Sequence, residues 1–116
     1  MKTIVIAFDC DGTLVTTESA SSKNIVANER IRTLLVALSS FKNVKIVVWS
    51  GGGEMWARQV GASLGIGKYV KLYCDKNLSG RVDGKLVFSP DLTPDIAIDD
   101  IQDCELGKLN LIVREK

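Results

Sequence analysis

The 116 residues suit one domain with a buried core and leave no room for a second substrate-binding unit, so a single domain over residues 1–116 is expected. With 15 basic against 14 acidic side chains, charge directs the chain neither to nucleic acid nor to a membrane surface. Histidine is absent, which excludes a Ser-His-Asp triad, a Cys-His pair and a HExxH zinc site; three scattered cysteines without a CxxC pair suggest neither a disulfide framework nor zinc.

In chain order, Thr3 to Phe8 is a continuous β-branched and apolar run, the pattern of a strand buried on both faces in a parallel sheet. Asp9 cuts it well below signal-peptide or transmembrane length, so a cytoplasmic protein is expected. Asp9-Cys10-Asp11-Gly12 follows, then a Ser/Thr-rich loop from Thr16 to Asn24. Ala27, Ile31, Leu34, Leu35 and Leu38 recur at helical spacing, with Asn24 or Asn28 available to cap the start. Val44 to Trp49 is a second buried-strand run, followed by Ser50 and the glycines Gly51, Gly52 and Gly53. Met55, Trp56, Val60 and Leu64 mark a second helix, with Gly65 placed to end it in a left-handed conformation.

Tyr69 to Cys74, Asp95 to Ile98 and Asn110 to Val113 predict three more strands. Between the first two of these, Arg81 to Phe88 reads as a hairpin turning at Asp83-Gly84. Alternation of strands and helices predicts an α/β, Rossmann-like parallel sheet of about five strands with right-handed crossovers, helices on both faces and a small hairpin insertion. Ligands in such sheets bind beyond the carboxyl ends of the strands. Those ends carry Asp9 and Asp11, then Ser50 with the glycines, then Asp75 and Lys76, then Asp99 and Asp100.

Converging carboxylates repel and cannot be buried without a counter-charge, and an all-oxygen set suits Mg2+. The glycine stretch opens a helix, so its backbone N–H groups form an anion site at the same edge. A metal, an N–H cradle and a lysine, without histidine, point to phosphate chemistry with a carboxylate nucleophile. A calcium loop is disfavoured because Gly12 stands fourth from Asp9 rather than sixth, and Ala20 stands where a glutamate belongs. Gly61 to Lys68 has the wrong spacing for a phosphate loop. Cys10 points away from the site by alternation, and Cys74 and Cys104 are given packing roles. Trp49 and Trp56 are assigned to the core.

Asp9-Cys10-Asp11-Gly12-Thr13 after a hydrophobic strand, Ser50 after the second, a downstream lysine and Asp99-Asp100 closing a further strand resemble the haloacid dehalogenase-like superfamily of phosphatases, in a minimal form without a cap domain. The resemblance implies Asp9 as the nucleophile that forms a phosphoaspartyl intermediate and Asp11 as acid and then base. It implies Mg2+ held by Asp9, the Asp11 carbonyl and Asp99, with Asp100 or Asp103 acting through water, and phosphate held by Ser50 and the Gly51 amide. The charge-balancing lysine is Lys76, because it ends a strand at the right edge, with Lys85 as the rival. Expected, then, is a phosphomonoester hydrolase; the alternatives are a phosphotransferase or a silent phosphate- or partner-binding domain. An uncapped site predicts a large phosphorylated substrate, such as a nucleic-acid end or phosphoprotein, or cover from another subunit in a homo-oligomer.

Overall fold

The computed structural model describes residues 2–17, 24–76, 78–82, 85–88, 93–101 and 104–114. The first two apolar runs become β1 (Ile4–Asp9) and β2 (Val44–Ser50), joined through α1 (Glu29–Ser39). From β2 the chain enters α2 (Glu54–Leu64), passes a short 3-10 turn at Gly67–Tyr69 and forms β3 (Leu72–Asp75). The hairpin is β4 (Leu78–Val82) and β5 (Lys85–Phe88), antiparallel as the sequence predicts, with Asp83 and Gly84 outside the described residues. It is followed by β6 (Ile96–Asp99), β7 (Cys104–Glu105) and β8 (Leu109–Ile112).

Five strands form one parallel sheet in the order β3-β2-β1-β6-β8, while β4, β5 and β7 form a separate three-stranded sheet. The α/β parallel-sheet class is therefore the one the sequence predicts, but the helices differ in place. Leu35 of α1 and Ala57, Val60 and Leu64 of α2 pack in one cluster with Ile6, Phe8, Ile46, Val48 and Ile98, so both lie on the same face rather than on both. The reason is topological. From β1 through β2 to β3 the chain moves steadily outward, and successive right-handed crossovers then fall on one side. It next returns to the other side of β1, where the same rule assigns the connections to the opposite face. There the described residues of the links form the β-hairpin and β7 rather than a helix, and Leu106 and Ile101 pack on Ala7, Val47, Trp49 and Ala97.

The reversal of direction makes β1 and β6 the switch point of the sheet, the place where a crevice opens beyond the strand ends. Phe8 and Ile98 sit side by side in register and are both fully buried. Burying side chains of this size stabilises by about 1.5–3 kcal/mol each, which fixes the residues that follow them.

Helix details show which periodic residues face inward. In α1 Leu35 is buried while Leu34 is 37% exposed, since Ile31, Leu35 and Leu38 form the inward stripe and Leu34 falls on its flank. Asn28 occupies the N-cap position without a side-chain cap bond. In α2 the stripe is Ala57, Val60, Gly61 and Leu64, so Met55, expected on it, lies nearly opposite and is 78% exposed. Gly65 ends α2 at φ 68°, the left-handed stop read from the sequence. No helix among the described residues is long and apolar enough to cross a membrane.

One glycine is required by space rather than by dihedral. A Cβ on Gly107 would stand 2.8 Å from the Ala97 nitrogen and 3.0 Å from the Leu109 oxygen, backbone atoms of β6 and β8 that cannot swing aside. Gly107→Ala should therefore destabilise by about 1–3 kcal/mol, the usual cost of overpacking, measured as a lowered urea midpoint. An unchanged midpoint would contradict this packing.

Candidate active site

The turn after β1 folds back beneath the strand end. Leu14 and Val15 donate N–H bonds to the carbonyls of Asp9 (3.3 Å) and Cys10 (3.1 Å), and Gly12 donates to Val15 (2.8 Å). Cys10, Leu14 and Val15 all point into the core and are fully buried, so the turn is anchored by apolar contacts as well as hydrogen bonds. Gly12 has φ +81°, and a Cβ there would collide with the Asp100 carboxylate. Glycine is needed twice over, for the turn and for the close approach of Asp100.

Lys76 is the centre of the arrangement. Its backbone N–H bonds the Ser50 carbonyl at 2.9 Å, which holds the residue against the end of β2. Its ammonium donates to Asp9 Oδ1 at 2.8 Å and Asp99 Oδ2 at 2.7 Å. All three are buried, at 7, 5 and 2% exposure for Lys76, Asp9 and Asp99. Asp99 is further fixed by the Ile101 N–H on Oδ1 at 3.1 Å, and the Thr13 hydroxyl donates to Asp9 Oδ2 at 3.4 Å. Lys85, the alternative, lies in β5 of the separate sheet.

Among the described residues the charges do not balance. Carboxylate oxygens of Asp9, Asp99 and Asp100 lie within 4.8 Å of one another, against the single ammonium of Lys76. Burial pushes the Asp9 carboxyl up to about 7; Lys76 pulls it down, but Asp99 and Asp100 push it up again. Burial raises Asp100 as well, with Asp99 adding to it. Burial disfavours the Lys76 ammonium, yet the two carboxylates outweigh it and hold its pKa above the ordinary lysine value. An all-oxygen donor set with excess negative charge suits a hard divalent cation. Asp11 stands outside this carboxylate group.

Beside these carboxylates the Ser50 Oγ accepts the Gly52 N–H at 2.9 Å, and the Ser50 carbonyl accepts that of Gly53 at 3.1 Å. The position a Gly51 Cβ would take has no heavy atom within 4 Å, so the turn is open on that side. Asp75, which the sequence leaves open between a supporting group at the site and a solvated charge, reaches across from β3 to accept the Glu54 N–H at 2.6 Å. It caps α2 from a neighbouring strand and so steadies the glycine turn.

Trp56 does more than the core packing assigned to it. It is half-buried against the helical core, and its indole N–H donates to Asp11 Oδ1 at 3.1 Å. Trp49 is fully buried on the opposite face of the sheet, as expected. Cys10 is buried among apolar side chains; burial, with Asp9 and Asp11 nearby, pushes its thiol up, away from reactivity. Asp103 lies outside the described residues.

The sequence-selected residues Asp9, Lys76, Asp99 and Asp100 thus meet at one point, with Ser50 and Gly51 alongside, whereas nothing in the spacing of the chain signalled the Trp56 and Asp75 bonds. Searches against protein-family models, curated proteins and solved structures find no match to this chain.

Proposed function

We propose that the chain is a Mg2+-dependent phosphomonoester hydrolase in which the Asp9 carboxylate attacks phosphorus. The observation that carries this reading is the Lys76 ammonium bound to both Asp9 and Asp99 at the switch-point crevice, beside the Ser50–Gly51 turn. A buried carboxylate needs a neighbouring cation to be present as an anion at neutral pH, and the same cation screens its approach to a negatively charged phosphoryl group.

In this scheme the Ser50 hydroxyl, the Gly51 N–H and the Lys76 ammonium hold the phosphoryl oxygens. Asp9 forms a bond to phosphorus as the bond to the leaving oxygen breaks, and Asp11 gives that oxygen its proton. Asp11 then takes a proton from water, the water oxygen bonds to phosphorus, and Asp9 departs as a free carboxylate. Asp9, Asp99 and the Asp11 carbonyl would hold Mg2+, with Asp100 acting through water; their oxygen-only chemistry and surplus charge fit that ion. When bound, Mg2+ supplies positive charge opposite the phosphoryl oxygens and fixes their orientation.

β1 is separated from α1 by residues 10–28 alone, β2 leads into α2 with only Gly51 to Gly53 between, and the 3-10 turn links α2 to β3, so none of these links holds a cap-sized insertion. This favours a phosphate carried on a large substrate, a nucleic-acid end or a phosphoprotein, or a site covered by a second subunit.

The test is phosphate release from a panel of phosphomonoesters that includes 3′-phosphorylated oligonucleotides, phosphopeptides, sugar phosphates and an aryl phosphate. Release with Mg2+, abolished by a chelator and restored by Mg2+, is expected. Tight binding of Mg2+ and phosphate with no release from any member would replace this reading with a silent phosphate-binding domain.

A further inference from the structure

The Trp56 to Asp11 hydrogen bond joins two segments that the reaction scheme requires to act together. Trp56 sits in the first turn of α2, next to Ala57, which is fully buried, and one turn from the equally buried Val60, so its backbone is held on a rigid element. A Cβ on Gly52 would stand 3.4 Å from Trp56 Cδ1 and 3.3 Å from Ser50 Oγ, which places the indole directly over the glycine turn. The N–H on the nitrogen bonded to that Cδ1 meets Asp11 Oδ1 at 3.1 Å, so the same edge of the ring faces both the glycine turn and Asp11. Packing alone would not demand this: phenylalanine would fill most of the volume, and only the indole nitrogen supplies a donor.

We infer that Trp56 is a positioning residue for Asp11, fixing the carboxylate through Oδ1 so that Oδ2 is presented to the leaving group and then to water. The inference rests on the reading of Asp11 as the proton carrier. One side chain would thereby set the distance between the turn that holds phosphate and the acid that protonates the departing oxygen. A hydrogen bond from a neutral donor to a carboxylate also restricts rotation about its Cβ–Cγ bond, the freedom that would otherwise reduce proton transfer.

Positioning of an acid has a signature that general destabilisation lacks. A good leaving group, such as the para-nitrophenolate of an aryl phosphate, departs without a proton, whereas an alkoxide does not. In Trp56→Phe, kcat/KM should fall about tenfold for an alkyl phosphate and less than about threefold for para-nitrophenyl phosphate, since the bond is lost with both substrates but the placing of the Asp11 proton matters only where the leaving oxygen needs one. Equal losses on both substrates, or none, in a folded variant would overturn the inference.

If Trp56→Phe does not fold, the indole N–H resonances of the two tryptophans decide. Asp11→Ala should shift the Trp56 signal and leave that of Trp49, on the opposite sheet face, in place. No shift would remove the contact and the inference with it. A wild-type protein inert towards every substrate is a separate failure, because it removes the proposed function rather than the role of Trp56 within it.

Discussion

Asp9→Asn is expected to reduce phosphomonoester turnover at least about a thousandfold, as loss of a nucleophile does, while leaving the protein folded and, without metal, harder to unfold. The stability gain follows from the charge imbalance. Asn keeps the shape of Asp and removes one of three clustered carboxylates, and Lys76 retains Asp99 at 2.7 Å. The sign of the pH dependence is fixed by the direction of the shift. The folded-state pKa of Asp9, about 7, stands above its ordinary 3.8, so the native state keeps a proton that the unfolded chain has already lost. Ionisation of Asp9 therefore opposes folding increasingly as pH rises from about 4 to 7. In metal-free buffer the melting temperature of Asp9→Asn should exceed that of wild type by a margin that grows across this interval. A margin that shrinks as pH rises would mean that Lys76 outweighs burial at Asp9.

Lys76→Met should be damaging in both respects. Without the ammonium, the buried Asp9 and Asp99 carboxylates face each other with no counter-charge, and leaving buried charge unpaired costs about 3–5 kcal/mol. The raised Lys76 pKa gives the sign: its stabilisation is in place below the ordinary lysine value and is lost only as pH climbs through the higher folded-state value. The deficit should thus be present at neutral pH. Turnover should fall by at least about 10²–10³, the range for removal of one preorganised charge-stabilising donor. Urea midpoints at pH values on either side of neutrality, with kcat/KM on an aryl phosphate, measure both. Near-wild-type turnover would transfer the proposed role of Lys76 elsewhere.

What could be read before the fold was known follows from where each signal resides. Asp9 and Asp99 close uninterrupted apolar runs, so burial pattern alone placed them at strand ends, and parallel pairing brought those ends to one edge. The same position at a strand end selects Lys76 over Lys85, and its ammonium does meet both aspartates. The placement of helices needed the strand order, which no local pattern encodes: once β6 is known to pair with β1 on the side away from β2, handedness assigns α1 and α2 to one face. Met55 lies off the inward stripe because Ala57 and Gly61, small residues that look neutral in a sequence, are the ones that face the sheet with Val60 and Leu64. The bonds of Trp56 and Asp75 have no local signal because each reaches a different segment, 45 and 21 residues distant respectively, through one hydrogen bond. An aromatic on a helix face gives no sign of where its N–H points, and a carboxylate at a strand end gives no sign that the next strand leads into a helix needing a cap.

The central claim is that Asp9 itself becomes phosphorylated. Acid quenching during turnover, best in an Asp11→Asn variant in which the second step should lag, followed by borohydride reduction, converts a phosphorylated aspartate to homoserine and leaves free carboxylates untouched. Mass spectrometry is predicted to find homoserine at position 9 only when substrate and Mg2+ were both present. Active enzyme that yields unmodified Asp9 under these conditions, or homoserine at Asp99 or Asp100 instead, would contradict the account.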